Sequence, residues 1–158
     1  MKKNIEVPTT RYHRLLTILS RIILIGTFVY LIIRWGQFPD RIPAHFNGAG
    51  EIDRWGGKYE LLFCPVASVL LYLFIGALEQ HPEVWNTGVT ITSENKYRIY
   101  ALLKNMIVTL RFVIVLTFSF ITINSSFARP LPVWFTAVSL LMVFGPMAYF
   151  MIQIIRRR

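Results

Sequence analysis

Four apolar runs divide this chain, each long enough to cross a lipid bilayer: Leu15–Ile33, Leu61–Leu78, Met106–Ile123 and Val133–Ile155. A hydrocarbon core ~30 Å thick needs roughly 17–25 helical residues. Lipid-exposed backbone must satisfy its own hydrogen bonds, which makes helix the default for such runs. Only Arg21 and Arg111 are charged inside them, and the other 23 Lys, Arg, Asp and Glu lie outside. The expected fold class is all-α: an integral membrane protein of one domain, residues 1–158, with four transmembrane helices. A compact 27-residue external loop, residues 34–60, joins helices 1 and 2.

Composition agrees with this reading. Charged residues make up 16% and hydrophobic ones 54%, against about 25% and about 45–50% in soluble domains, which excludes intrinsic disorder. The net charge of +9 would suit nucleic acid, but such binders gather their charge on a soluble face, and long uncharged runs dominate here. No nucleic-acid partner is expected. Cys64 stands alone, so neither an intrachain disulfide nor a CxxC motif exists. The first run is too long for a cleavable signal core, and it reads as a retained anchor.

Orientation follows from the distribution of Lys and Arg. Ten fall on one side: Lys2, Lys3, Arg11 and Arg14, then Lys96, Arg98 and Lys104, then Arg156, Arg157 and Arg158. The opposite side holds five: Arg34, Arg41, Arg54, Lys58 and Arg129. Both termini and the middle loop are therefore expected in the cytoplasm of a bacterial cell membrane, with loops 34–60 and 124–132 external. The cytoplasmic cations suit anionic membrane lipids. Arg21 and Arg111 both lie in the cytoplasmic half. No Asp or Glu occurs within the four runs, so no acidic partner is expected inside the membrane. Two readings stay open: side chains that snorkel to the headgroups, or an anion site between helices.

The first external loop concentrates the chemistry. It carries Trp35, Phe38, Phe46, Trp55 and Tyr59, too many aromatics for a solvated linker. Pro39-Asp40, Asn47-Gly48 and Trp55-Gly56-Gly57 are turn signals, and Ile42 to Phe46 between them suits an extended segment. His45, Asn47, Glu51 and Asp53 offer imidazole and oxygen donors within nine positions, a set that a hard divalent cation accepts. Their spacing matches no defined metal motif. The alternatives are that these groups satisfy the loop itself or recognise a ligand. No cofactor is expected beyond that metal option. With no serine nucleophile elbow and no reactive cysteine, an enzyme is not expected.

The stretch from Phe38-Pro-Asp-Arg-Ile-Pro-Ala-His-Phe-Asn to Gly50-Glu-Ile-Asp-Arg-Trp-Gly-Gly-Lys58 resembles a bacterial membrane domain of unknown function. That domain forms the N-terminal part of SdpI-type bacteriocin-immunity proteins and also occurs alone. The pattern is met by Pro39, Asp40, Pro43, His45, Phe46, Asn47, Gly50, Glu51, Asp53, Trp55 and Gly56. A further similar stretch runs from His81 to Asn86 and on to Tyr100, so the family-like region covers residues 15–123. SdpI-type proteins continue into a membrane region that this chain lacks. The resemblance implies an immunity-like or signalling role in which loop 38–58 recognises an envelope ligand or a peptide toxin. Alternatives are a small anion or lipid transporter, or an accessory structural subunit that holds a membrane-protein partner. In the middle loop, Thr92 or Ser93 is an N-cap candidate for a short surface helix leading into span three.

Overall fold

The computed structural model describes residues 6–157; Lys2, Lys3 and Arg158 of the basic termini lie outside the described residues. Four helices long and apolar enough to cross a membrane form the body of the molecule. They are α1 (Arg11–Arg34), α2 (Phe63–Gln80), α3 (Lys96–Ser125) and α4 (Phe135–Arg156). The apolar runs located all four, and each helix extends beyond its run at one end or both: α1, α2 and α4 by mostly polar or charged residues, α3 by a further ten-residue N-terminal stretch of mixed character. Thr10 caps α1 in a capping box, with His13 filling the place usually held by Glu or Gln. The Thr10 amide donates to His13 Nδ1 at 3.1 Å, so the neutral ring carries its proton on Nε2, facing Asn105 Oδ1 at 2.6 Å.

Helix α3 is the central element and packs against α1, α2 and α4. At 30 residues it is about 45 Å long, more than a hydrocarbon core requires. Its first turns are not a separate surface helix, as the sequence suggested. Ile99 and Leu103 are buried against Ile154 of α4 and against Trp85, Val89 and Ile91 of the middle loop. Asn95 is the N-cap, and it exchanges hydrogen bonds with Thr92: the Thr92 amide donates to Asn95 Oδ1, and the Asn95 amide to Thr92 Oγ1.

Several buried hydroxyls inside the bundle find local partners, although Ser68 Oγ does not. Ser20, Thr27 and Thr122 each donate to the carbonyl four residues earlier, which lets a polar side chain sit in an apolar interior. The outer faces are the reverse. Ile18, Ile22 and Ile25 of α1, and Leu140, Leu141 and Phe144 of α4, stand exposed at helical spacing. Rows of exposed apolar side chains of this kind mark surfaces that meet lipid or another protein.

The structure corrects the all-α expectation in one place. Within loop 34–60 the chain forms an antiparallel hairpin of β1 (Arg41–Phe46) and β2 (Ile52–Gly57). Short 3-10 turns flank it at Trp35–Gln37 and Lys58–Leu62. Period-two burial is weak on β2, which is why the sequence pattern alone reads as a compact loop. The hairpin is held to the bundle by a small core of Phe38, Ile42, Leu31 and Leu61, with Tyr30 and Trp35 packed on it.

Candidate functional site

The hairpin register explains much of the loop motif. Ile42 pairs with Gly56, Pro43 with Trp55, His45 with Arg54 and Phe46 with Ile52. Ala44 and Asp53 are therefore the extra residues of two neighbouring bulges. A bulge re-aims side chains, and here Asp53 Oδ1 meets His45 Nδ1 at 2.7 Å. Pro43 is accommodated because each strand of a two-stranded sheet has an open edge. At the tip, Asn47 Oδ1 accepts the amides of Ala49 and Glu51, while its Nδ2 donates to Glu51 Oε2 at 2.9 Å. The four candidate metal ligands thus fall into two pairs, His45–Asp53 and Asn47–Glu51. Among the described residues no group of three or more His, Cys, Asp or Glu stands close enough to hold a metal ion.

The glycines of the motif mark close approaches. A Cβ on Gly56 would collide with the Glu60 carboxylate and lie 2.8 Å from Ala44 Cβ. That space lets Glu60 pair with Arg54 at 2.9 Å while Arg54 also donates to the Ala44 carbonyl, locking β2 to the turn before α2. Gly50 has φ +85°, the left-handed region that glycine enters without penalty. Its carbonyl accepts the Leu131 amide at 2.8 Å, and a Cβ there would meet Leu131 at 3.2 Å. Loops 34–60 and 124–132 therefore dock on each other at one end of the bundle. Asn124 stiffens the second loop by donating to the Arg129 and Pro130 carbonyls, and Tyr30 joins Ser126 at 2.7 Å.

The remaining motif residues are framework. Pro39 is exposed at the entry to the hairpin, the Asp40 carbonyl accepts the Lys58 amide, and Trp55 lies partly exposed opposite Pro43.

Beneath the hairpin lies a cavity of about 610 Å³, within the range of ligand pockets. Pro43, His45, Phe46 and Asn47 form one wall, and Arg54 and Glu60 stand at it as a pair. The opposing wall comes from outside the motif: Phe63 and Cys64 of α2, Ile121 of α3 and Phe135 of α4. Sequence reasoning missed these residues, because apolar side chains at helix ends carry no signal that separates a pocket lining from lipid contact. The result is a mostly apolar chamber, with charged and amide groups on the hairpin side and the hydroxyl residues Thr122, Ser125 and Thr136 on the helix side.

Arg21 and Arg111, the two charges within the apolar runs, lie toward the other end of the bundle, and here the structure overturns an expectation. Arg111 has an acidic partner. Glu79, one residue beyond the second apolar run, pairs with Arg111 Nη1 at 2.8 Å, and both side chains are largely buried. Helix α2 continues to Gln80, which carries Glu79 to the level of Arg111. Arg111 Nη2 also donates to Thr17 Oγ1, and the guanidinium lies 4.8 Å from the Tyr72 ring centre. It is fixed inside the bundle and does not extend to a surface. Arg21 is exposed and donates from Nε to the Tyr72 hydroxyl at 3.2 Å. The signal for Glu79 was present: Tyr72, Gly76 and Glu79 fall at i, i+4 and i+7 on one face of α2.

Comparison with known proteins places a name on part of this architecture. An uncharacterized protein of Archaeoglobus fulgidus is 34% identical over 58 residues, covering 37% of this chain and 32% of that protein. The similarity thus spans about a third of the curated relative. No solved structure matches. A family model described as a domain of unknown function, DUF1648, matches residues 22–69, a stretch that runs from α1 through the whole hairpin into α2 and holds every residue of the loop motif.

Proposed function

We propose that this chain is a multi-pass membrane protein of the immunity or sensing type, whose hairpin end faces outward and receives an envelope-directed peptide. The observation that carries the reading is the apolar chamber of about 610 Å³ under the hairpin. One of its walls is the loop motif itself, at Pro43, His45, Phe46 and Asn47. An apolar peptide side chain fits such a floor, and the polar rim gives orientation, as ligand sites usually do. Outward placement of the hairpin rests on the excess of Lys and Arg at the opposite end, and bilayer insertion on the exposed apolar faces of the four helices.

The experiment is a peptide challenge. A strain lacking the gene is exposed to a panel of membrane-active peptides and complemented with wild type, His45→Ala or Thr136→Phe, the last filling the chamber from α4. Deletion is expected to raise sensitivity to at least one peptide, wild type to restore resistance, and both variants to fail. Unchanged sensitivity across a broad panel removes the proposal.

A further inference from the structure

At the end of the bundle opposite the hairpin, α1, α2 and α3 enclose an open groove of about 970 Å³. Three cations line it: Arg21, Lys104 and Arg111. Two carboxylates line it as well, Glu6 and Glu79, and Glu79 is occupied by Arg111. Lys104 is 7% exposed. Its ammonium donates to the Val7 carbonyl and to Thr9 Oγ1 and, among the described residues, pairs with no carboxylate. Arg111 Nε is buried with no hydrogen-bond partner. Arg21 contacts Tyr72 through Nε and likewise pairs with no carboxylate among the described residues. A buried cation is costly unless an opposite charge meets it, and this groove holds more cation than its own acids neutralise.

We infer that the groove binds a phosphate-type oxyanion, with Arg21 at its mouth and Lys104 and Arg111 in its wall. Tetrahedral oxyanions suit such a set, because guanidinium and ammonium donors make short, charge-assisted hydrogen bonds to their oxygens. The source is either a phospholipid headgroup or free phosphate. The groove favours the headgroup, because Leu73, which also lines it, stands 60% exposed on the outer face of α2. The groove wall thus continues onto the apolar surface along which acyl chains would lie. Gly76 keeps the passage clear, since a Cβ there would come within 3.0 Å of Arg111 Nη1. The site is independent of whatever the hairpin chamber binds.

The test uses the purified full chain in zwitterionic detergent, with thermal unfolding followed as lipid is added. Phosphatidylglycerol is expected to raise the midpoint and phosphatidylcholine to leave it unchanged. Arg21→Gln, an exposed position that folding tolerates, is expected to raise the half-saturating phosphatidylglycerol concentration about tenfold, the loss of one charge-assisted bond. Arg98→Gln, an equally exposed cation of α3 outside the groove, is expected to leave it unchanged. Inorganic phosphate that stabilises the chain and competes with phosphatidylglycerol assigns the groove to free phosphate; stabilisation by the lipid alone assigns it to the headgroup. The inference is overturned if neither anion shifts the midpoint, or if Arg98→Gln weakens the response as much as Arg21→Gln.

Discussion

Glu79 Oε2 and Arg111 Nη1 stand 2.8 Å apart, a buried ion pair that ties α2 to α3 at the end of the bundle remote from the hairpin. Removing one member of such a pair leaves an uncompensated charge, and the loss exceeds whatever the pair contributes net. Glu79→Gln and Arg111→Leu are each expected to destabilise the protein by about 3 kcal/mol, read as a lower thermal midpoint in detergent. The double variant Glu79→Leu/Arg111→Leu should recover much of that loss. Equal damage in the double and single variants would mean that the two charges are not coupled.

Two adjacent glycines give a sharper contrast at the hairpin. Gly56 has no room for a Cβ beside Glu60 and Ala44, whereas a Cβ on Gly57 meets nothing within 4 Å. Gly56→Ala is expected to cost about 1–3 kcal/mol, the usual range for overpacking. Gly57→Ala should stay within about 0.5 kcal/mol of wild type, as open surface positions do. Equilibrium unfolding of the two variants side by side decides it, and equal midpoints would contradict the close approach.

His45 and Asp53 should separate stability from function. Their side chains are 64% and 42% exposed, and polar contacts so placed contribute at most about 1 kcal/mol, whether or not the imidazole is charged. His45→Ala and Asp53→Asn are therefore expected to unfold at nearly the wild-type temperature while losing protection in the peptide challenge. Loss of both properties together would make the pair a structural fastening instead.

Cys64 is the sole cysteine, so topology can be read cleanly in a Cys64→Ser background. A membrane-impermeant maleimide should label the Gly48→Cys protein in intact cells, and the Arg98→Cys protein only after permeabilisation. Both positions are exposed. The reverse pattern would invert the orientation, and labelling of both in intact cells would remove the bilayer placement.

The four helices were legible because each carries an apolar run nearly free of charge and long enough to cross a membrane, and the described helices overlie the expected runs. Their ends were less legible. Residues 96–105 are polar enough to read as surface, yet Ile99 and Leu103 find partners in α4 and the middle loop that no local pattern announces. The hairpin was half visible, as an extended Ile42–Phe46 between turn signals. Its second strand was hidden because Asp53 and Arg54 break the alternation, at neighbouring bulges in the strand pairing. The loop motif itself was readable residue by residue, but the chamber behind it was not, since seven of its 18 lining residues come from α2, α3 and α4. An anion site between helices at Arg21 and Arg111 was one of two readings open in the sequence; Glu79 was not legible from the apolar run alone as the partner of Arg111, because it lies one position beyond that run's end at Leu78.

The hydrogen bond from the Leu131 amide to the Gly50 carbonyl sets a boundary on what can be transplanted. Gly50 lies inside the stretch that resembles DUF1648 and Leu131 lies 62 positions beyond its end at residue 69. Grafted onto another pair of helices, residues 22–69 would carry the hairpin but leave its tip without the ledge on which it rests.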